Sequence, residues 1–215
     1  MDLKQIREKE IELRKNGKKT NINTPEMQDL RWRSYGKTRK QLMPAMIEMY
    51  DYICGKISDG SFLDVGAGEA DIIWGLVSEN KCDEYYGVDI SQVRIDWNNE
   101  KLLTSKYKND NVFFLFSDAE QLPFPDGYMS AISCTATLEH VTNPIKVINE
   151  IMRVLKPDGK AFFGIPIEPA PNQPLNSPDH YHFWADEKSI LKLFNGLNVL
   201  STKFINPNLI VEIKK

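Results

Sequence analysis

Cysteine is scarce in this 215-residue chain. The three that occur, Cys54, Cys82 and Cys134, are an odd, widely spaced set with no C-x-x-C pair, which argues against a disulfide framework and a cysteine-built zinc site. A reducing compartment suits them. Long apolar runs are missing too: no stretch approaches the roughly 20 residues that cross a bilayer. The opening MDLKQIREKEIELRKNGKK has no apolar core of signal-peptide length, so a soluble, cytoplasmic protein with no membrane span is expected. Nor is there an excess of charge. A net charge of -3 offers no overall reason to bind a polyanion, and nucleic acid is not an expected partner. Internal repeats and low-complexity segments are also absent.

What is present suffices for one domain. Hydrophobic residues at 41% and aromatics at 10% can bury a sizeable core, which excludes global disorder. The first twenty residues alternate basic and acidic side chains, with Ile6 and Leu13 at near-helical spacing, and read as a solvated surface helix or a basic arm ended by Gly17. Leu42, Met46, Ile47, Met49, Tyr50 and Ile53 predict a second helix within residues 38–57. From residue 61 short apolar runs alternate with amphipathic stretches: SFLDV, 72–78, YYGVDI, 91–106, NVFFLF, MSAISC, 144–155 and KAFFGIP. Strands that are apolar almost throughout need cover on both faces, so a parallel sheet between helices is predicted. PDG at 125–127 and 157–159 marks tight turns. A further helix is predicted over 186–194. The last two runs, LNVLSTKF and LIVEIKK, are separated by only Ile205, Asn206, Pro207 and Asn208, too few residues for a parallel crossover; they must be antiparallel. A loop rich in Pro and Asn at 167–181 has the length of a lid or binding loop.

Three features converge on one sheet edge. The first core strand runs into Asp64, Val65, Gly66, Ala67, Gly68, Glu69 and Ala70, where glycines let a ligand approach the backbone and the next helix start offers amides; a plain tight turn would use the same glycines. The dinucleotide fingerprint fails at Asp71, which speaks against a nicotinamide oxidoreductase. The second strand ends in Asp89 and Ile90, 23 and 24 residues after Gly66. An acid there can accept both hydroxyls of a ribose, or merely cap a helix, a task open to Ser91 as well. After the third strand, Asp118 can accept from an exocyclic amino group beside the apolar Ala119. All lie at carboxyl ends of neighbouring strands, where α/β sheets bind ligands.

The ordered set LDVGAGEA at 63–70, GVDIS at 87–91, SDAEQLPFPDGYMSAISC at 117–134, LEHVTNP at 138–144 and EIMRVLKPDGKAFFGIP at 150–166 resembles the class I S-adenosylmethionine-dependent methyltransferases, in the branch acting on small molecules and glycans. The resemblance covers about residues 36–215 and leaves 1–35 as an N-terminal helical arm or lid. It implies an α/β fold, a three-layer αβα sandwich around a Rossmann-like, mostly parallel seven-stranded sheet in the order 3-2-1-4-5-7-6 with strand 7 antiparallel. It further implies S-adenosylmethionine as cofactor, S-adenosylhomocysteine as product, and a small-molecule or glycan acceptor. Carried over by position, Gly66, Ala67 and Gly68 would face the methionine part and Asp64 would orient the glycine loop. Asp89 and Ile90 would hold the ribose side, Asp118 and Ala119 the adenine, and Thr135 would lie beside the methionine moiety. Many relatives have a third glycine where this chain has Ala70.

Methyl transfer from a sulfonium is an in-line displacement that depends mainly on positioning and exclusion of water. A hydroxyl acceptor must also lose its proton, and the candidates are Glu139, His140 and His180, with His182 beside the last. All three histidines of the chain fall in segments expected at the cofactor edge. The alternatives are a packing residue for His140 and a loop hydrogen bond for His180. Glu139 and His140 with a later histidine are similar to a metal-binding arrangement in some related methyltransferases, but those place a second glutamate where this chain has Ala136, so no metal is expected. Arg31, Trp32, Arg33 and Tyr35 suit either closure over a ligand or packing of the arm. A catalytically inactive cofactor-binding module acting as partner or scaffold is the competing reading. Asp89 and Asp118 speak against it.

Overall fold

The computed structural model describes residues 24, 25, 29, 44–104, 111–168 and 180–215. The expected surface helix of the first twenty residues and the cluster 31–35 lie outside them. Helix α1 (Pro44–Cys54) leads into β1 (Ser61–Val65), α2 (Asp71–Ser78), β2 (Glu84–Asp89), α3 (Gln92–Thr104), β3 (Val112–Phe116), β4 (Met129–Thr135), α4 (Pro144–Val154), β5 (Leu155–Pro166), α5 (Glu187–Leu191) with a 3-10 turn Lys192–Phe194, β6 (Asn198–Ile205) and β7 (Asn208–Lys214).

The strands form one seven-stranded sheet in the order β3-β2-β1-β4-β5-β7-β6. All neighbours pair in parallel up to β5. β7 is antiparallel to both β5 and β6, as the short connection at 205–208 requires. Pleating sends alternate side chains to opposite faces. Phe62, Tyr85, Phe114 and Phe162 pack with α1, α2 and Ile95 of α3 on one face. Leu63, Val65, Ile132 and Phe163 pack with α4 and α5 on the other. The three-layer αβα sandwich follows, and each fully buried large side chain contributes about 1.5–3 kcal/mol.

Local signals place the helices. Pro144 starts α4, and the Asn143 side chain accepts from Lys146 N at 3.1 Å. Its apolar stripe, Val147, Ile148, Ile151 and Val154, is buried on the sheet. Asp186 and Ser189 cap α5 reciprocally. The predicted helix over 186–194 is thus a single turn and a half that tightens into the 3-10 segment. One expectation needs correction: the PDG at 157–159 does not precede the strand but lies within β5. Met129 pairs with Leu155 and Ala131 with Lys160, so the intervening residues are looped out, and Asp158 adopts φ 65. Among the described residues no helix is long and apolar enough to cross a membrane.

β1 and β4 are sheet neighbours, yet the chain moves outward from β1 to β2 and β3 before returning to β4. Loops leaving the carboxyl ends of β1 and β4 therefore part in opposite directions and open a crevice between them.

Candidate functional site

One wall of the crevice is the turn after β1. Gly66 N and Ala67 N both donate to Val88 O at 2.9 Å, folding the chain over the end of β2. Gly66, Gly68 and Ala70 all have positive φ, of 72, 54 and 55°. At Gly66 a side chain is excluded twice, since a Cβ would sit 2.3 Å from Thr137 Oγ1. The third glycine of the resembling proteins now has a physical reason: Ala70, just before α2, stands in the left-handed region that costs an L-residue about 1–2 kcal/mol. Its methyl group is fully buried in the core beneath, which offsets part of that cost.

Asp89 ties this turn to β2. Its Oδ2 accepts from Gly68 N at 2.9 Å and its Oδ1 from Ser91 N at 2.8 Å, so it serves loop and helix start at once. Ile90 follows it, half-buried at the same edge. Asp64 is 4% exposed and accepts from Ser133 Oγ at 2.6 Å. Burial pushes its carboxyl up to about 7; the Ser133 hydrogen bond resists, while the charges of Asp89 and Asp71 add to the push. Burial also raises the Asp89 carboxyl, against the Ser91 and Gly68 amides and the charge of Arg94. A group of acids held in poor solvent beside an open backbone turn suits a cationic ligand bearing hydroxyls. That is the chemistry of S-adenosylmethionine, so the residues present fit this cofactor.

After β3, Ser117 N donates to Asp89 O at 3.0 Å, bringing the third loop against the second. Asp118 is exposed and accepts from Glu120 N at 2.9 Å in a tight turn, and half-buried Ala119 between them packs against the core. Three side chains missed by the sequence reading brace these loops. Asn98, fully buried on α3, donates to Gly68 O at 2.9 Å. Arg94, 6% exposed, is ion-paired to Glu69 Oε1 at 3.4 Å. Asp29 of the N-terminal arm accepts from Ser91 Oγ at 2.7 Å and Val93 N at 3.1 Å at the start of α3. A polar residue in the second turn of the helix after Asp89 is the signal that could have found Asn98; nothing in the sequence points to Asp29.

The other wall leaves β4. Thr135 ends that strand, Ala136 turns the chain with φ 49°, and Thr137 Oγ1 donates to Thr135 O at 3.0 Å while its side chain fills the space over Gly66. His140 N donates to Thr137 O at 2.9 Å. Across from it, Tyr181 N and His182 N donate to Glu139 O at 2.7 and 3.2 Å. These bonds clamp 180–182 onto 139–140. Glu139 is 1% exposed, and the His140 and His180 rings meet edge to face at 4.7 Å. His180 Nδ1 lies 2.7 Å from Glu168 Oε2, and with a carboxylate as partner that nitrogen is the donor. The three expected residues are thus together, with Glu168 as an unexpected fourth.

His182 is not part of this group. Its Nε2 donates to Val141 O at 3.1 Å and its ring stacks on Trp184, which is buried in the core. Cys134 is also set aside as a nucleophile, because burial holds its thiol well above the ordinary value. None of the three cysteines is in a disulfide.

Residues 63–163 match a family described as "Methyltransferase domain". The ubiquinone/menaquinone biosynthesis C-methyltransferase UbiE of Pseudomonas aeruginosa is 31% identical over 134 residues, covering 61% of this chain and 51% of that protein. The demethylmenaquinone methyltransferase of Renibacterium salmoninarum is 33% identical over 106 residues, 49% of this chain and 41% of the relative. The chain thus spans about half, or less, of the length of these curated relatives. Among solved structures, a SAM dependent methyltransferase from Aquifex aeolicus shares the fold, with a TM-score of 0.65 over 80% of this chain and 93% of the other at 20% identity.

Proposed function

We propose that the chain, whose residues 63–163 match a methyltransferase domain and whose fold is that of a SAM dependent methyltransferase, moves the methyl group of S-adenosylmethionine to a hydroxyl oxygen, less readily an amine, of a small molecule or sugar. The observation that carries this reading is the joining of the two walls. Thr137 packs on Gly66 of the cofactor turn, His140 N is bonded to Thr137 O, and the His180–Glu168 pair lies against His140.

The cofactor supplies an electrophilic methyl group on a sulfonium. In this reading Asp89 accepts from the ribose hydroxyls, with Ile90 against the sugar and base. Asp118 and Ala119 receive the adenine, and Gly66, Ala67, Gly68 and Thr135 line the methionine part. Asp64 sits beneath the glycine turn as a counter-charge. On the acceptor side, Glu168 takes the Nδ1 proton of His180 into a hydrogen bond and so leaves the lone pair on Nε2, the form that accepts a proton from a hydroxyl. Glu139 and His140 complete the polar lining. A lid role for the N-terminal arm is supported by Asp29, which accepts from Ser91 Oγ and Val93 N at the start of α3. The free cysteines agree with a cytoplasmic setting.

A second reading keeps the site and changes the acceptor atom. The relatives named above are quinone-pathway methyltransferases, one of them a C-methyltransferase by name. A base that ionises a ring hydroxyl also makes the neighbouring carbon nucleophilic. The test is a panel of phenolic, quinol and sugar acceptors assayed with the wild type, His180→Gln and Glu168→Gln. Loss of turnover by roughly 10²–10⁴-fold in His180→Gln with cofactor affinity retained supports the reading. NMR of the product separates oxygen from carbon methylation. Cofactor binding with no turnover on any acceptor would leave the inactive module instead.

A further inference from the structure

We propose that Glu139, His140 and His180 form a binding site for a divalent transition-metal cation on the acceptor side of the crevice. Each side chain offers one ligand atom, and these atoms all lie within 4.8 Å of one another. Three donors around one ion at about 2.1 Å stand roughly 3–3.5 Å apart, so closing onto an ion needs side-chain rotations of no more than about an ångström.

The surroundings are those of a built site. Glu139 is 1% exposed and the His180 side chain 11%. Both backbone segments are locked together by the bonds from Tyr181 N and His182 N to Glu139 O. Glu168 Oε2 holds His180 Nδ1 at 2.7 Å. A carboxylate on the far nitrogen of an imidazole is the arrangement that orients a ligating histidine and raises its basicity toward the metal. A second carboxylate where Ala136 stands is not required for such a set. Two imidazoles and one carboxylate already suffice for a borderline cation, and they leave coordination positions open for an oxygen ligand. The same donors suit magnesium poorly, since it prefers oxygen and reluctantly sheds water.

The ion site stands on this cluster alone; its chemical role rests on the methyl-transfer reading. With the cation bound, the His180 Nε2 lone pair is a ligand and no longer the base; the ion takes over that task, and an acceptor hydroxyl bound to it loses its proton to solvent at a lowered pKa. The resulting oxygen lone pair forms the new bond to the methyl carbon, and the carbon–sulfur bond breaks with its electron pair going to sulfur, leaving a neutral thioether.

The test uses the full chain, stripped with chelator, and needs no acceptor. Mn2+, Co2+, Zn2+ and Mg2+ are titrated by calorimetry into wild type, His180→Ala, Glu139→Gln and Glu168→Gln. S-adenosylmethionine binding and thermal unfolding are recorded on the same samples as controls for the cofactor site and for folding. The expected result is about one transition-metal ion per chain, weakened at least 100-fold in His180→Ala and roughly 10–100-fold in Glu168→Gln, with cofactor affinity unchanged. Where Glu139→Gln fails to fold, His180→Ala decides. Absence of transition-metal binding to folded wild type, binding untouched by His180→Ala, or a preference for Mg2+ over the other three would overturn the proposal. A folded wild type that also failed to bind the cofactor would separately overturn the methyltransferase reading.

Discussion

Asp64 is a buried acid whose carboxyl is raised by its surroundings, and neutralising it by Asp64→Asn gives a measurable signature. Its carboxyl lies in the first core strand at 4% exposure with a 2.6 Å bond from Ser133, and is pushed from an ordinary 3.8 to about 7 by that burial. A raised folded-state value means that the protonated form is favoured by folding. The associated stability is fully present below the unfolded value near 4 and is lost as pH rises through 7. Three units correspond to about 4 kcal/mol in all, of which about 3 kcal/mol disappears between pH 5 and pH 8. Urea unfolding of the cofactor-free protein at these two pH values reads the difference directly. Wild type should be the less stable at pH 8, and Asp64→Asn should remove most of the loss while keeping a smaller slope from Asp89, whose carboxyl is raised in the same direction. A cation bound at the glycine turn would favour the charged form again, so cofactor binding near pH 7 should release protons, visible as calorimetric heats that depend on the buffer. Equal pH 5 to pH 8 differences in the two proteins would refute the reasoning.

Three further outcomes are expected. Asp89→Ala removes the acceptor of Gly68 N and Ser91 N as well as the proposed ribose partner; calorimetry should show cofactor affinity falling at least 100-fold, about 3 kcal/mol or more for two hydrogen bonds to a charged acceptor. Gly66→Ala forces a Cβ against Thr137 Oγ1 at φ 72° and should cost about 2–4 kcal/mol in urea unfolding, with partial recovery when Thr137→Ala is added, because the clash is shared between the two sites. Lys160→Met deprives buried Glu212 of its 2.9 Å partner while Lys56 at 3.7 Å and Ser201 remain; thermal and urea unfolding should report a loss of about 1–2 kcal/mol rather than the larger cost of a fully orphaned charge.

The parallel sheet and its antiparallel end were legible because they depend on chain-local features, while the strand order was implied by the family resemblance and agrees with the structure. Apolar runs of strand length alternate with helical stripes, a four-residue connection forbids a parallel crossover, and Gly66, Gly68, Asp89 and Asp118 lie at or just after the ends of recognisable strands. The turn at 157–159 was legible as a turn but not as a loop-out within a strand, because that depends on how β5 registers against β4. Ala70 illustrates the limit differently: that the position favours glycine was visible, and the reason, a φ of 55° before α2, was not.

What the amino-acid order settled by itself is the scaffold and its edge: periodicity and turn chemistry act over a few residues and leave little freedom. What only the tertiary structure decided is which distant polar groups meet there. Asn98 reaches Gly68 because of the helical phase of α3, Asp29 reaches Ser91 from far upstream, and Glu168 and His180 pair because 180–182 is clamped to Glu139. Such meetings depend on register, crossing angle and rotamer summed over the whole chain. No local pattern encodes them.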